Sequence, residues 1–529
     1  MRKNILGLIL LLAQLWACQP SNTVEDEQGS GTLQNVVVIV GDDHSYKVTG
    51  SYGNEIIRTP NIDRLAAEGV RFTNAYANAP ICNASRQSML TGTYPHTTQV
   101  NLLFTPFPDH HNLTIAEYLR KKGYKTALIG KNHFNNWAWG MLYEGGSPDH
   151  GFDVLIDNTE YRNYLKEKGE INIPDSIETY SRSSDNTIAN LKNARTLPMP
   201  CYDEDCKGTY LARQCIEFIK ANKEQPFLLW VGFNEPHAPF NFPIEYRNKY
   251  DPEKMPLPTG SPEDVRWQPE IFKGLTETER RGIVASYYTS VEYMDKNVGL
   301  ILEEIEKQGL NENTLVIYVG DQGYLLNEHK RFEKHTMWKE AIKTPLVIRG
   351  GPLANDGSVR DQLVELVDLM PTALDFMGCK TPSQVQGKSL FTILNHRDSV
   401  HRNLVFAEYL EDNMAMVADH EWKYIFSTGQ RDLGLTYETG KGPLGLEHRL
   451  YNLKEDPEET TNLAGNEKHL QVLQELQNGM LQKFMETHPE AGKVPPELTL
   501  EGKLVWFCQP RDIGGEPDSP PLRVFKAAQ

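Results

Sequence analysis

The 529-residue sequence has no excess of positive charge: 54 lysines and arginines stand against 71 aspartates and glutamates, a formal net charge of −17. That balance excludes a general nucleic-acid binder, whose footprint is basic. It also requires any anionic ligand to find a locally basic pocket on an acidic body. Cysteine is scarce, with seven residues in all, and none of their spacings suggests a zinc site. No internal repeat or long low-complexity segment is present, which excludes solenoid and fibrous architectures. Long apolar runs are missing too, apart from residues 5–15, a stretch too short to span a bilayer comfortably. What is there is ordinary for a globular protein, 39% hydrophobic and 24% charged residues. The length suffices for one large domain plus a smaller one, or for two to three ordinary domains.

The N-terminus reads as a targeting segment. Arg2 and Lys3 precede the apolar run, which ends Leu15-Trp16-Ala17-Cys18. A small residue before a cysteine resembles a bacterial lipobox, implying a signal peptide over 1–18 and a lipidated Cys18. Plain secretory cleavage is the competing reading. Residues 19–33 are polar and acidic, as a tether should be. The expectation is an exported bacterial lipoprotein, in the periplasm or on the outer-membrane surface, touching the membrane only through its anchor. Cys201 and Cys206 can close a small disulfide loop in such a protein, and the odd cysteine count leaves at least one thiol free.

Four segments share one pattern, an apolar strand followed by polar residues: 36–40 then Gly41-Asp42-Asp43, 125–129 then Gly130-Lys131-Asn132-His133, 227–231 then Gly232 to His237, and 315–319 then Gly320-Asp321-Gln322. Runs apolar on both faces suit buried parallel strands. Helices are predicted over 112–122, capped by Asn112, over 278–308, and over 365–377. The fold class is therefore α/β, a large central, mostly parallel sheet flanked by helices, with ligands beyond the strands' carboxyl ends. Residues 134–225 and 240–275 look like insertions in a large domain over 34–400. After about residue 400, short strands and a helix near 469–487 predict a smaller C-terminal α+β domain over 401–529.

Adjacent carboxylates at Asp42 and Asp43 suit either an Asx turn or cap, or a hard-cation site to which Asp321 and Gln322 add oxygen ligands. Taken alone, Lys131 and His133 read as a surface lysine and a satisfied loop histidine, and His237, before Ala238-Pro239, as a rigid-turn histidine. In Pro80-Ile81-Cys82-Asn83-Ala84-Ser85-Arg86, followed by Leu90-Thr91-Gly92, Ser85 and Arg86 lie where a helix could begin. An anion or nucleophile there meets unpaired N–H groups and a positive dipole end.

This C-x-A-S-R order resembles the signature of the type I, formylglycine-dependent sulfatases, of the alkaline phosphatase superfamily. Ala84 stands where proline is commoner, and Gln322 where many relatives carry Asn or His. The resemblance extends over residues 34–465 and takes in Thr59-Pro60-Asn61-Ile62-Asp63-Arg64-Leu65, Gly130-Lys131-Asn132-His133, Lys334-His335-Thr336-Met337-Trp338 and Leu450-Tyr451-Asn452-Leu453. It implies an alkaline-phosphatase-like fold and conversion of Cys82 to formylglycine by a maturing enzyme. It implies a Ca²⁺ site, with Mg²⁺ not separated by ligand type, built from Asp42, Asp43, Asp321, Gln322 and the modified Cys82.

Carried over residue by residue, Lys131 and Lys334 bind sulfate, and Arg86 favours ionisation of one hydroxyl of the aldehyde hydrate. His133 orients or deprotonates that hydrate, and His237 is the general acid or a sulfate contact. The second hydroxyl then expels sulfate, an exit that an ordinary serine lacks. His335 enters as a neighbour of Lys334. The implied activity is hydrolysis of sulfate esters of carbohydrates, with glycosaminoglycan-derived saccharides ahead of fucose- or galactose-sulfate polymers. Trp137 and Trp139 are candidates to stack on a sugar. The alternatives are a formylglycine-dependent phosphonate monoester or phosphodiester hydrolase and an inactive glycan-binding relative.

Overall fold

Strand β1 (Asn35–Gly41) is buried along its whole length, and its side chains split by parity. Val36, Val38 and Val40 enter one hydrophobic core, while Val37 and Ile39 enter another on the opposite face. This two-sided burial is why the segment is an unbroken β-branched run rather than an alternating one. The computed structural model describes residues 35–508, except 102, 104, 106, 109–111, 135–148, 183–185, 351–356, 398, 411–412 and 429–444. Trp137, Trp139 and Cys18 lie outside the described residues.

Seven further strands complete the central sheet: β2 (Val70–Phe72), β3 (Lys125–Gly130), β4 (Val154–Ile156), β5 (Phe227–Gly232), β6 (Thr314–Gly320), β7 (Leu346–Arg349) and β8 (Ser358–Arg360). Their order is β8-β2-β7-β6-β1-β5-β3-β4. Only β7 runs against its neighbours; the remaining pairings are parallel. One face packs on α1 (Pro60–Glu68), α5 (Lys207–Asn222) and the C-terminal half of α6 (Glu277–Lys307). The other packs on α2 (Cys82–Thr91), α3 (Ile115–Lys121) and α7 (Leu369–Phe376). Helix α4 (Asn158–Lys168) follows edge strand β4.

The four-stranded C-terminal sheet, β9 (Val405–Tyr409), β10 (Met414–Ala418), β11 (Trp422–Ser427) and β12 (Glu447–Asn452), is antiparallel in sequence order. Its strands alternate. Val405, Ala407 and Tyr409 join the core of the central sheet, while Phe406 faces helices α8 (Leu470–Thr487) and α9 (Leu500–Phe507).

Three boundaries differ from the sequence expectation for physical reasons. Asn112 does not cap α3. Thr114 does, because Glu117 lies three residues on and closes a reciprocal capping box. Residues 365–377 are not one helix: a short strand ends at Glu365, a 3-10 turn spans Leu366–Asp368, and α7 begins at Leu369. Asp368 there accepts the Glu365 backbone N–H, and Glu365 and Asp368 both hold the Arg402 guanidinium, an arrangement a straight helix cannot make. Residues 134–225 are not wholly an insertion, since β4 extends the central sheet and α5 packs on β3, β5 and α6. Helix α6 matches the expected span within one residue, fixed by the Thr276–Glu279 capping box.

Candidate active site

The polar clusters meet because β6, β1, β5 and β3 are neighbours running in one direction, with ends in register. Gly41 pairs with Gly320, Val40 with Gly232, and Gly130 with Gly232. The glycines permit the close approach. Gly130 has φ +107, and a Cβ on Gly232 would lie 2.2 Å from the Lys131 carbonyl oxygen. Past these ends the chain holds Asp43 (φ 66), His133 (φ 60) and His335 (φ 66) in left-handed conformations, a strain that concentrates at functional sites.

Cys82 is the first residue of α2, so the helix starts three residues earlier than Ser85 and Arg86 suggested. Arg86 therefore stands one turn along, on the same face. Its Nε donates to Asp321 Oδ2 at 2.7 Å and its Nη1 to the Lys131 carbonyl at 3.0 Å. Its Nη2 lies 3.8 Å from Asp42 Oδ1. Lys131 pairs with Asp42 at 2.5 Å. Lys334 pairs with Asp43 at 2.5 Å and lies 3.5 Å from Cys82 Sγ. Gln322 donates to Asp43. These contacts bring the residues proposed for the metal and anion centre together. Cys82, Lys131, His133, His237 and Lys334 line a cavity of about 390 Å³, and Lys131 and Lys334 link it to Asp42 and Asp43 behind them.

The electrostatics follow from three acids and three cations under little water. Burial would raise Asp42, but Lys131, His237, Arg86 and Lys334 hold it well below its ordinary value. Burial lifts Asp321 to about 6 against the pull of Arg86. Burial also pushes the Cys82 thiol up, despite Lys131 and Lys334, so it is no ready thiolate nucleophile. Burial and then Lys131 hold His133 well below the ordinary imidazole value. Burial lowers His237 as well, with Asp43 and Asp42 opposing.

The residues fit a divalent cation. Ligand atoms of Asp42, Cys82 and Asp321 all lie within 4.8 Å of one another. Asp42 Oδ1 and Gln322 Oε1 are buried with no hydrogen-bond partner among the described residues. The donors are mostly oxygens, which suits a hard ion. These three acids and three cations cancel, so a divalent ion, a singly charged ester and one ionised hydroxyl would together leave this cluster neutral.

His335 lines the cavity, yet its Nδ1 pairs with the Tyr409 hydroxyl at 2.8 Å, so it ties the C-terminal sheet to the pocket wall. The cavity also takes in residues the sequence reading passed over: Asp157, Asn158, Lys207 and Asn234. The one available signal was the disulfide, which the structure forms between Cys201 and Cys206, immediately before Lys207.

A buried nucleophile position ringed by acids and cations, at the carboxyl edge of a parallel sheet, defines a hydrolase of anionic esters. Comparison with known proteins narrows this. The family model described as Sulfatase matches residues 34–379, and one described as N-sulphoglucosamine sulphohydrolase, C-terminal, matches residues 327–486. The chain belongs to the sulfatase family and is a sulfuric ester hydrolase. An N-acetylglucosamine-6-O-sulfatase of Bacteroides thetaiotaomicron is 26% identical over 520 residues, covering 90% of this chain and 90% of that protein.

Among solved structures, a complex of a protein with its substrate D-glucosamine-2-N,6-O-disulfate has TM-score 0.68 at 22% identity, covering 87% of this chain and 99% of that one. A phosphonate monoester hydrolase of Agrobacterium radiobacter has TM-score 0.71 at 20% identity, covering 89% and 99%. At these identities the structures speak for the fold, which is the sulfatase one with a smaller C-terminal antiparallel sheet.

Proposed function

We propose that the chain removes sulfate from glycosaminoglycan-type saccharides, with formylglycine made from Cys82 as the nucleophile and Ca²⁺ as the cofactor. The observation that carries this is the position of Cys82: first in its helix, 3.5 Å from the Lys334 ammonium, one turn before Arg86, and among the ligand atoms of Asp42 and Asp321. The saccharide class is supported by relatives that act on sulfated glucosamine.

Formylglycine would supply a geminal diol, one hydroxyl to attack sulfur and one to release it. The cation held by Asp42, Asp43, Asp321 and Gln322 would supply Lewis-acid charge. The chain's own residues do the rest. Lys131 and Lys334, whose side chains are 14% and 5% exposed, neutralise the ester oxygens, and such charge stabilisation is strong where water is largely excluded. Arg86 fixes Asp321, and its buried Nη2 lies 3.8 Å from Asp42 Oδ1. The Ala238 carbonyl, 2.8 Å from His237 Nδ1, can only accept, so that nitrogen carries the proton. The other nitrogen, Nε2, is 3.8 Å from Asp43 and, when protonated, donates to the leaving oxygen. His133, kept neutral by burial, takes a proton at Nδ1, which has no hydrogen-bond partner among the described residues.

A panel of defined sulfated mono- and disaccharides, run beside an aryl sulfate and a phosphodiester, tests the reading. Regiospecific desulfation is expected, and a clear phosphodiester preference overturns it. Peptide mass spectrometry at Cys82, from cells that hold the maturing enzyme, should show the aldehyde; unmodified cysteine alone favours a glycan binder. We also infer lipidation at Cys18 and an address in the periplasm or on the outer-membrane surface. Fatty-acid labelling that is lost in Cys18→Ser tests this.

A further inference from the structure

Lys131 and Lys334 each meet an aspartate, but the third lysine of the cavity does not. Among the described residues Lys207 makes no ion pair. Its ammonium is held by two neutral amide oxygens, Asn234 Oδ1 at 2.5 Å and Asn158 Oδ1. An ammonium has three N–H donors, so one donor stays uncommitted, and the charge has no carboxylate at ion-pair distance among the described residues. Asp157 lines the same cavity, yet its carboxylate accepts from Thr159 N at 2.6 Å as the cap of α4.

The placement is fixed from three sides. Lys207 opens the 16-residue α5 directly after the Cys201–Cys206 disulfide. Asn158 opens α4, and Asn234 follows β5. Two helix starts meet at one point, which adds positive potential there. Burial lowers Lys207 to about 8, with Glu235 opposing it and Lys131 adding to the fall. The group is still largely charged at neutral pH and gains most from an incoming anion.

We propose that Lys207, steadied by Asn158 and Asn234, determines specificity by binding a second anionic group, a carboxylate or another sulfate, on the saccharide whose ester is cleaved. This rests on the sulfatase reading above and adds to it a rule: the preferred substrate carries two negative groups. A cavity of about 390 Å³ is of a size for a sugar with both.

The test uses two substrate pairs. One is a sulfated disaccharide with a uronate and its carboxyl-reduced counterpart. The other is a glucosamine sulfate with an N-sulfate or an N-acetyl group. In Lys207→Met the ratio of kcat/KM, dianionic over monoanionic, is expected to fall about tenfold, through KM rather than kcat, as for loss of a charged hydrogen bond. Lys207→Arg is expected to keep most of the ratio, and the responding pair tells carboxylate from sulfate. A ratio unchanged within about twofold in both pairs overturns the proposal. Calorimetric binding of the same four saccharides to full-length Cys82→Ala and Cys82→Ala/Lys207→Met reads Lys207 without turnover. A dianion preference lost with Lys207 supports it, and equal binding overturns it, whatever ester the wild type proves to cleave.

Discussion

The Arg86–Asp321 pair offers a sharp test of how the site is held together. Arg86 is 1% exposed and Asp321 not at all, and their 2.7 Å contact lies beside two more carboxylates, Asp42 and Asp43. Arg86→Met removes that bond and the 3.0 Å bond to the Lys131 carbonyl, while a buried acid stays behind. Breaking one side of a buried pair costs about 3–5 kcal/mol, mostly from the abandoned charge. Asp321→Asn alone strands the guanidinium and should cost a similar amount. The double variant strands neither, so its cost should fall below the sum of the singles by about 2 kcal/mol or more. Denaturant unfolding of the four proteins in chelator, at one pH, measures this without interference from a bound cation. Additivity within about 0.5 kcal/mol would refute the reasoning, because it would mean the two groups do not depend on each other.

Three further outcomes follow from other residues. Cys82→Ala should lose turnover by about 10⁵-fold or more, as when a sole nucleophile is removed, yet still bind saccharide; surviving activity would place the nucleophile elsewhere. His237→Ala should slow sugar sulfates by about 10²-fold or more and aryl sulfates with good leaving groups far less, and an equal loss on both would remove its role as acid. Away from the site, Asp368 is buried, yet Arg402 and His401 take its carboxyl down to about 2. A lowered acid stabilises the fold above its unfolded value, about 3.9, and that contribution is lost as pH falls through about 2. The gap in melting temperature between wild type and Asp368→Asn should therefore be open at about pH 5 and shrink toward pH 2. A gap independent of pH would show that the carboxylate's charge is not what matters.

The convergence of the candidate site was legible because several of its polar residues sit at the ends of strands that are hydrophobic on both faces. Asp42, Lys131, His237 and Asp321 each follow such a run within a few residues, and parallel neighbours must end at one edge. Helix positions were legible where a cap and a periodic stripe agreed, as at α6. They failed at 365–377, where the deciding partner, Arg402, is 34 residues from Asp368 and 37 from Glu365, and no local pattern announces it. Strand β4 was missed for a related reason: it has three residues, all half-buried, so it carries neither alternation nor a fully apolar run.

That omission hid more than a strand. Once β4 is placed at the sheet edge, Asn158 at the start of α4 comes within reach of Lys207, and a region read as an insertion becomes a wall of the site. The division of labour is physical. In the proposed sulfate end, Asp42, Lys131 and Asp321 follow strand ends in fixed register, where a one-residue slip would misplace them, and α2 adds Arg86. The sugar end is built from helix starts on the periphery, stapled by one disulfide. The sulfate end keeps each lysine paired with an acid, so its charge is committed before substrate arrives. Lys207 has no such pair among the described residues, and discrimination between saccharides should therefore be easier to change there than at any residue of the signature.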